Sequence, residues 1–227
     1  MKVIDTKGAF LDKGEKFYSY FDKVFQAIDN EQLKYNWLIT YCECYLSDPE
    51  MQNLLDQDYA WVSGETLTRL VENENPQFIW GIFSGFSKQI SLDDILKYEL
   101  PYADGNSSYN QDHVPIQHPL AEIEIGAFDG TFTTFICRDD RLTNKFLSYF
   151  PLAKDLDKMN TQDNIAISRV ERLLNQELER RQLKGTKKLL YGKYTCWQRL
   201  GEERKNIASD EEILEQISKY LDDMKQD

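Results

Sequence analysis

The sequence predicts an α+β fold, a predominantly antiparallel sheet covered by helices, with a C-terminal helical extension. Three observations carry this reading. Residues 121–138 form two strand-like runs around Asp129-Gly130, residues 17–28 place apolar side chains at helical spacing, and beyond Pro151 strand-like patterning gives way to helical periodicity. The regular strand–helix alternation of a parallel sheet is absent from the 227 residues.

Phe17, Phe21, Val24 and Ile28 make one stripe of an amphipathic helix over residues 15–29, and that stripe needs a sheet to cover. Residues 35–46 read as a strand, with Trp37, Ile39, Tyr41 and Tyr45 on one face and Leu38, Cys42, Cys44 and Leu46 on the other. Ser63 is placed to cap a short helix through Asn73. The aromatic run 77–83 is a further strand, bounded by Ser84-Gly85. Ser91 with Asp94 resembles a capping box ahead of Ile95 and Leu96.

The alternation Ala121-Glu122-Ile123-Glu124-Ile125 and the run from Thr131 to Arg138 flank an Asp-Gly pair, which favours a tight turn because both residues tolerate positive φ. Phe132, Thr134 and Ile136 then share one face, and Thr133, Phe135 and Cys137 the other. Apolar groups on both faces place this strand inside the sheet. After Pro151, Asp163 is the expected cap of a long helix with Ile167, Val170, Leu174 and Leu178 inward, ended by Gly185. Residues 191–200 fit strand or helix. Ser209 to Glu212 is a capping box opening a last helix with Ile213, Ile217, Tyr220 and Met224 on one side. The expected division is an α+β domain over residues 1–158 and a helical subdomain or extension packed on it over 159–227.

The formal net charge is -12, unevenly spread. Residues 1–160 hold fourteen Lys/Arg against twenty-six Asp/Glu, residues 161–205 eleven against six, and the remainder two against seven. An acidic body with a separate basic helical segment follows. Met1-Lys2-Val3-Ile4-Asp5 leads into no apolar run, and no stretch approaches eighteen consecutive apolar residues. No secretory signal or membrane span is therefore expected, and the cytoplasm is the default location. Four dispersed cysteines suit a reducing compartment.

Phosphate-loop, dinucleotide-binding, H-E-x-x-H and G-x-S-x-G motifs are absent. Cys42 and Cys44, with Cys137 on another strand, are read as buried thiols, and no metal or cofactor is expected. Oxygen groups alternate from Asp104 to Asp112 as in a calcium loop, but Tyr109 occupies the turn-glycine position and Pro115 that of the closing Glu. Both histidines, His113 and His118, fall in this polar 101–119 segment, and His118 reads as a surface residue. Glu122 and Glu124 read as a solvated face without cause for a raised pKa.

Trp37-Leu38-Ile39-Thr40 followed by Glu43, then Trp61-Val62-Ser63-Gly64-Glu65, Trp80-Gly81-Ile82-Phe83-Ser84-Gly85 and Phe128-Asp129-Gly130 give the chain a likeness. Over about residues 17–150 it resembles small bacterial α+β domains, among them toxin-neutralising immunity proteins. None of these runs is a specific motif. The resemblance implies protein binding through an acidic surface and carries over no catalytic residue.

Three functional readings follow. The first is a non-enzymatic intracellular protein-binding or regulatory protein, immunity-like, meeting a basic partner through Asp104, Asp112, Asp139 and Asp140 with Tyr109 as aromatic anchor. The second is nucleic-acid or phosphate binding by the 169–205 segment, through Arg169, Arg172, Arg180, Arg181, Lys184, Lys187 and Lys188. Interleaved acids weigh against it, and nucleic acid is not the expected partner. The third is a hydrolase built on the 101–119 loop, with His113 as general base and Asp112 as its orienter.

Overall fold

Strand-forming runs rich in aromatic and β-branched residues assemble into one antiparallel seven-stranded sheet of order β3-β2-β4-β5-β6-β1-β7. The computed structural model describes residues 6–183 and 186–224, with only the helical backbone for 186–190. The strands are β1 (Lys7–Leu11), β2 (Tyr35–Glu43), β3 (Tyr59–Ser63), β4 (Trp80–Ser87), β5 (Ile123–Phe128), β6 (Phe132–Cys137) and β7 (Lys154–Asp155). The helices are α1 (Phe21–Ala27), α2 (Pro49–Leu55), α3 (Gly64–Glu74), α4 (Leu92–Ile95), α5 (Asp140–Tyr149), α6 (Leu156–Arg180), α7 (Thr186–Arg199) and α8 (Asp210–Asp223). The chain divides into Met1–Lys158 and Met159–Asp227.

The Asp-Gly turn forms as the sequence predicts, with φ of 50° at Asp129 and 60° at Gly130, and pairs β5 with β6. Strand β6 lies between β5 and β1, inside the sheet. One face of the sheet presents Trp37, Ile39, Phe83, Ile123, Ile125 and Phe135 to a core completed by Phe21, Val24, Leu67, Val71, Leu142 and Phe146 from α1, α3 and α5. Ring contacts concentrate at Phe21, whose centroid lies 4.6 Å from Phe78 and 4.7 Å from Phe83. The opposite face is covered by the chain between β4 and β5, which brings Ala103 onto Ile82 and Phe128, and His118 to 4.8 Å from the Phe86 ring.

Several boundaries differ from the sequence expectation. Helix α1 occupies only Phe21–Ala27, and Phe17 is 46% exposed beyond its N-terminal end. Strand β4 begins at Trp80 and runs through Ser84-Gly85. Gly85 serves there for close approach, since a Cβ would lie 2.4 Å from the Ile123 side chain and 3.3 Å from the Trp37 ring. Helix α6 starts at Leu156, so Asp163 sits inside it and accepts from Asn206 Nδ2 at 2.6 Å instead of capping. Residues 191–199 are helical, as part of α7. Gly185, the expected terminator of α6, lies outside the described residues. His118 is 1% exposed, its Nε2 bonded to Ile95 O and its Nδ1 accepting from Leu120 N.

The caps hold where the expected side chains supply them. Ser63 Oγ accepts from Thr66 N at the start of α3, and Ser91 Oγ from Asp94 N at α4. Ser209 and Glu212 form a complete capping box at α8. In the second unit Val170, Leu174 and Leu178 of α6, Cys196 of α7, and Ile213, Ile217 and Leu221 of α8 form a separate apolar cluster.

Replacing Phe21 by Ala should remove a fully buried ring that the surrounding aromatics cannot collapse to fill, at a cost of about 3–5 kcal/mol. Denaturant unfolding followed by near-ultraviolet circular dichroism measures this. An unchanged midpoint would show that the α1 face is not part of the core.

Candidate protein-binding groove

The groove begins with a backbone irregularity. Thr40 of β2 faces Ile82 of β4, and the next pair is Glu43 with Trp80, so three steps on one strand match two on the other. This is a β-bulge. Tyr41 adopts φ of +48° within it, opposite Gly81 at φ of +148°, and Tyr41 N–H donates to Asp58 O at 3.1 Å, extending the β3-side register by one residue. The extra residue also exchanges faces. Cys42 and Cys44 pack into the same core as Trp37 and Ile39, where simple alternation had put them on the opposite side.

Tyr41, turned outward, lines a cavity of about 380 Å³ with Trp80, Tyr102, Ala103 and Asp104. Tyr41 is 49% and Tyr102 47% exposed. Exposed carboxylates at Glu43, Asp58 and Asp104 belong to the segments that build this end of the sheet. The wall is held from behind by rings: Trp80 meets Phe128 edge-on, Tyr109 meets Phe128 at 4.9 Å, and Phe128 stacks on Phe132 at 4.6 Å.

Gln117 fastens the 102–117 segment. Its Oε1 accepts from Tyr102 N at 3.0 Å and from Asn106 Nδ2 at 2.8 Å, and its Nε2 donates to Tyr109 Oη at 2.7 Å. Tyr109 O–H in turn donates to Glu124 Oε1 at 2.7 Å, while Gln117 N–H donates to Glu124 Oε2 at 2.9 Å. Glu124 is fully buried, contrary to the solvated face expected for it; Glu122, just ahead of β5, is exposed. Burial pushes the Glu124 carboxyl up to about 7, against the opposing pull of the Gln117 and Tyr109 hydrogen bonds. Burial, followed by the Glu124 charge, also holds the Tyr109 phenol well above its usual range.

The five residues expected to bind protein separate in the structure. Asp104 lines the groove. Tyr109 directs its hydroxyl inward to Glu124, so the exposed aromatic positions are Tyr41 and Tyr102 instead. Asp112 is exposed farther along the loop. Asp139 caps α5 and pairs with Arg141 at 2.7 Å, and Asp140 occupies the first turn of that helix.

His113 finds a different carboxylate from the one expected. Asp157 Oδ2, not Asp112, lies 2.7 Å from its Nδ1, and Asp157 Oδ1 accepts from Val114 N. Thr6 Oγ1 lies 3.3 Å from His113 Nε2 and bonds Val114 O at the same distance. A hydroxyl, an imidazole and a carboxylate thus stand in series. The hydroxyl belongs to a residue only 7% exposed, and the series ties the start of β1, the loop and the start of α6 together.

The basic segment is largely ion-paired within its own unit. Arg169 and Arg172 face Asp210, Arg180 and Arg181 converge on Glu177, and Arg181 also reaches Asp222 at 2.6 Å. These pairs draw Glu177 down to about 2, with Arg180 the largest contributor. Lys184 and the side chains of Lys187 and Lys188 lie outside the described residues. Among the described residues no cluster of three or more His, Cys, Asp or Glu could hold a metal ion, and no helix is long and apolar enough to cross a membrane.

Comparison with protein-family models, curated proteins and solved structures finds no match to this chain.

Glu124 gives a pH prediction. The unfolded chain releases this proton near 4.5, whereas the folded chain keeps it to about 7, so the folded state binds more protons across that window. Stability contributed at Glu124 therefore falls as pH rises from about 4.5 to 7, by about 3 kcal/mol at most. Thermal unfolding at pH 5 and pH 8 should show a smaller loss in Glu124→Gln than in the parent protein. Equal losses would mean that Glu124 is ionised in the fold.

Proposed function

We propose that this protein is a non-enzymatic protein-binding module, immunity-like in its mode of action, that receives a basic segment of its partner in the Tyr41–Trp80–Tyr102 groove. The observation that carries the reading is the pairing of an exposed aromatic cavity with Asp104 at its edge, on the unit that holds the chain's excess of acids. Rings of this kind supply large contact areas at small entropic cost. A Lys or Arg seated over a Tyr or Trp face adds about 0.5–2 kcal/mol, depending on how far it is desolvated. The excess of carboxylates steers a basic partner toward the surface and makes its association rate sensitive to salt.

The resemblance to immunity proteins and the charge of the first unit support the same partner chemistry. The nucleic-acid reading rests on arginines that already face Asp210, Glu177 and Asp222. The hydrolase reading rests on a His113 whose neighbouring hydroxyl is buried.

The test is affinity capture from the native cell with the parent protein, Tyr102→Ala, Asp104→Asn and Arg172→Ala, followed by affinity measurement for whatever polypeptide is recovered. Tyr102→Ala should weaken binding about 30-fold or more. Asp104→Asn should reduce the salt dependence of association, and Arg172→Ala should leave binding unchanged. Equal binding by the Tyr102 and Asp104 variants would overturn the groove assignment. Recovery of nucleic acid lost only in Arg172→Ala would favour the second reading.

A further inference from the structure

The bulge that turns Tyr41 outward also brings two sulfur atoms together. In a regular strand, residues two apart stand about 6.6 Å from each other along the chain, near the upper limit of the Cα separations a disulfide spans. Cys42 Sγ nevertheless lies 3.9 Å from Cys44 Sγ, as a thiol donor to its neighbour. Two features permit this. The bulge between Thr40 and Glu43 breaks the regular rise, and β2 ends at Glu43, leaving Cys44 in irregular chain just beyond the ladder. Cys44 is 3% exposed, whereas Cys42 is partly open to solvent. The other free thiols are differently placed: Cys137 is 1% exposed on the interior strand β6, and Cys196 is fully buried in α7.

We propose that Cys42 and Cys44 form a redox-active dithiol that closes to an intrachain disulfide on reaction with a peroxide. Joining them requires the sulfurs to approach by about 2 Å, since a disulfide bond is about 2.05 Å long. That movement falls on two side-chain torsions and on the irregular chain after Glu43, whose backbone is held by side chains and not by a neighbouring strand: Cys44 O accepts from Gln52 Nε2 at 3.1 Å and Leu46 N donates to Gln52 Oε1 at 2.7 Å. The shared hydrogen bond lowers the Cys44 thiol and raises the Cys42 thiol, so the pair holds one proton between two sulfurs when singly ionised. Burial pushes both Cys137 and Cys196 up to about 11, which keeps them as thiols.

The chemistry balances with hydrogen peroxide as oxidant. In the singly ionised pair the proton rests on Cys42; once it has passed across the shared hydrogen bond to Cys44, the more accessible Cys42 thiolate attacks one peroxide oxygen, the O–O bond breaks, and the departing hydroxide takes up a proton from solvent to leave as water. Cys42 is then a sulfenic acid. The Cys44 sulfur displaces its hydroxyl, the S–S bond forms, and the hydroxyl leaves with the Cys44 proton as a second water. Two thiols lose two electrons and the peroxide gains them.

The test treats the full chain, first reduced, with a small excess of hydrogen peroxide, then blocks the remaining thiols and maps disulfides by mass spectrometry. The expected product is about 2 Da lighter before blocking, carries one Cys42–Cys44 link, and returns to four free thiols with dithiothreitol. Loss of the Cys42 thiol should be at least about tenfold faster than loss of Cys137 or Cys196. Cys44→Ser should halt at a sulfenic acid on Cys42 that a dimedone reagent traps, and Cys44→Ala provides the same readout if the serine variant does not fold. The proposal fails if oxidised parent protein keeps Cys42 and Cys44 as separate thiols, if Cys42 proceeds to sulfinic acid without linkage, or if Cys42 pairs with a second chain instead.

Discussion

The structure depends on β4, β5 and β6 being covered on both faces. A strand in that position exposes no side chain to water, so each face must be closed by a separate layer, and each polar group on it must be paired or tolerated. Helices α1, α3 and α5 supply one layer with apolar groups. The other layer is irregular chain, and the face beneath it carries Thr40, Ser84, Glu124 and Thr134 among its apolar residues. Gln117, Tyr109 and Pro101 bring hydrogen-bonding atoms to Glu124 and Thr40, whereas Ser84 Oγ and Thr134 Oγ1 are buried without a partner. The loop is thus fixed by polar bonds to the sheet in addition to the apolar contacts of Ala103 and Tyr109, where a helix would have relied on an apolar stripe.

What was legible in the sequence was local. The Asp129-Gly130 turn, the serine caps and the Phe21, Val24 and Ile28 stripe each depend on residues within one or two turns of one another, and the expected α+β architecture follows from them. The bulge at Tyr41 left no comparable mark, because its extra residue is defined only against the partner strand. Once present, it reverses the faces of everything after it, and the assignment of Cys42 and Cys44 went with it. Gly85 read as a terminator because its actual role, making room for Trp37 and Ile123, is set by other strands. The candidate groove draws on Tyr41, Trp80 and Tyr102, three segments whose proximity no spacing rule reveals, and the Asp157 partner of His113 is 44 residues away. Glu124 looked solvated because alternation identifies a face without saying what covers it.

The charge reversal along the chain has a different meaning in three dimensions. The basic segment and the acidic terminal helix belong to one unit and meet there, Arg181 holding both Glu177 and Asp222 and Arg204 holding Glu212. Their opposed charges cancel locally. From Met159 onward Lys/Arg and Asp/Glu balance, and the whole net charge of -12 resides in the first unit. Long-range attraction for a cation is therefore a property of the sheet-bearing unit.

Strand β1 is laid between β6 and β7, with Lys7 opposite Cys137 and Phe10 opposite Lys154. A strand that precedes the other six of its sheet in the chain is consequently among the last to acquire neighbours, and synthesis must pass residue 155 before both its edges are paired. Until β6 is complete at Cys137, Ala9 and Leu11, which the finished fold buries almost completely, remain on a segment whose neighbouring strand does not yet exist. Contacts of such long sequence separation slow folding and leave unpaired edges open to other chains. The placement of Lys7–Leu11 thus keeps one stretch of the sheet open during synthesis until the chain has grown to Cys137.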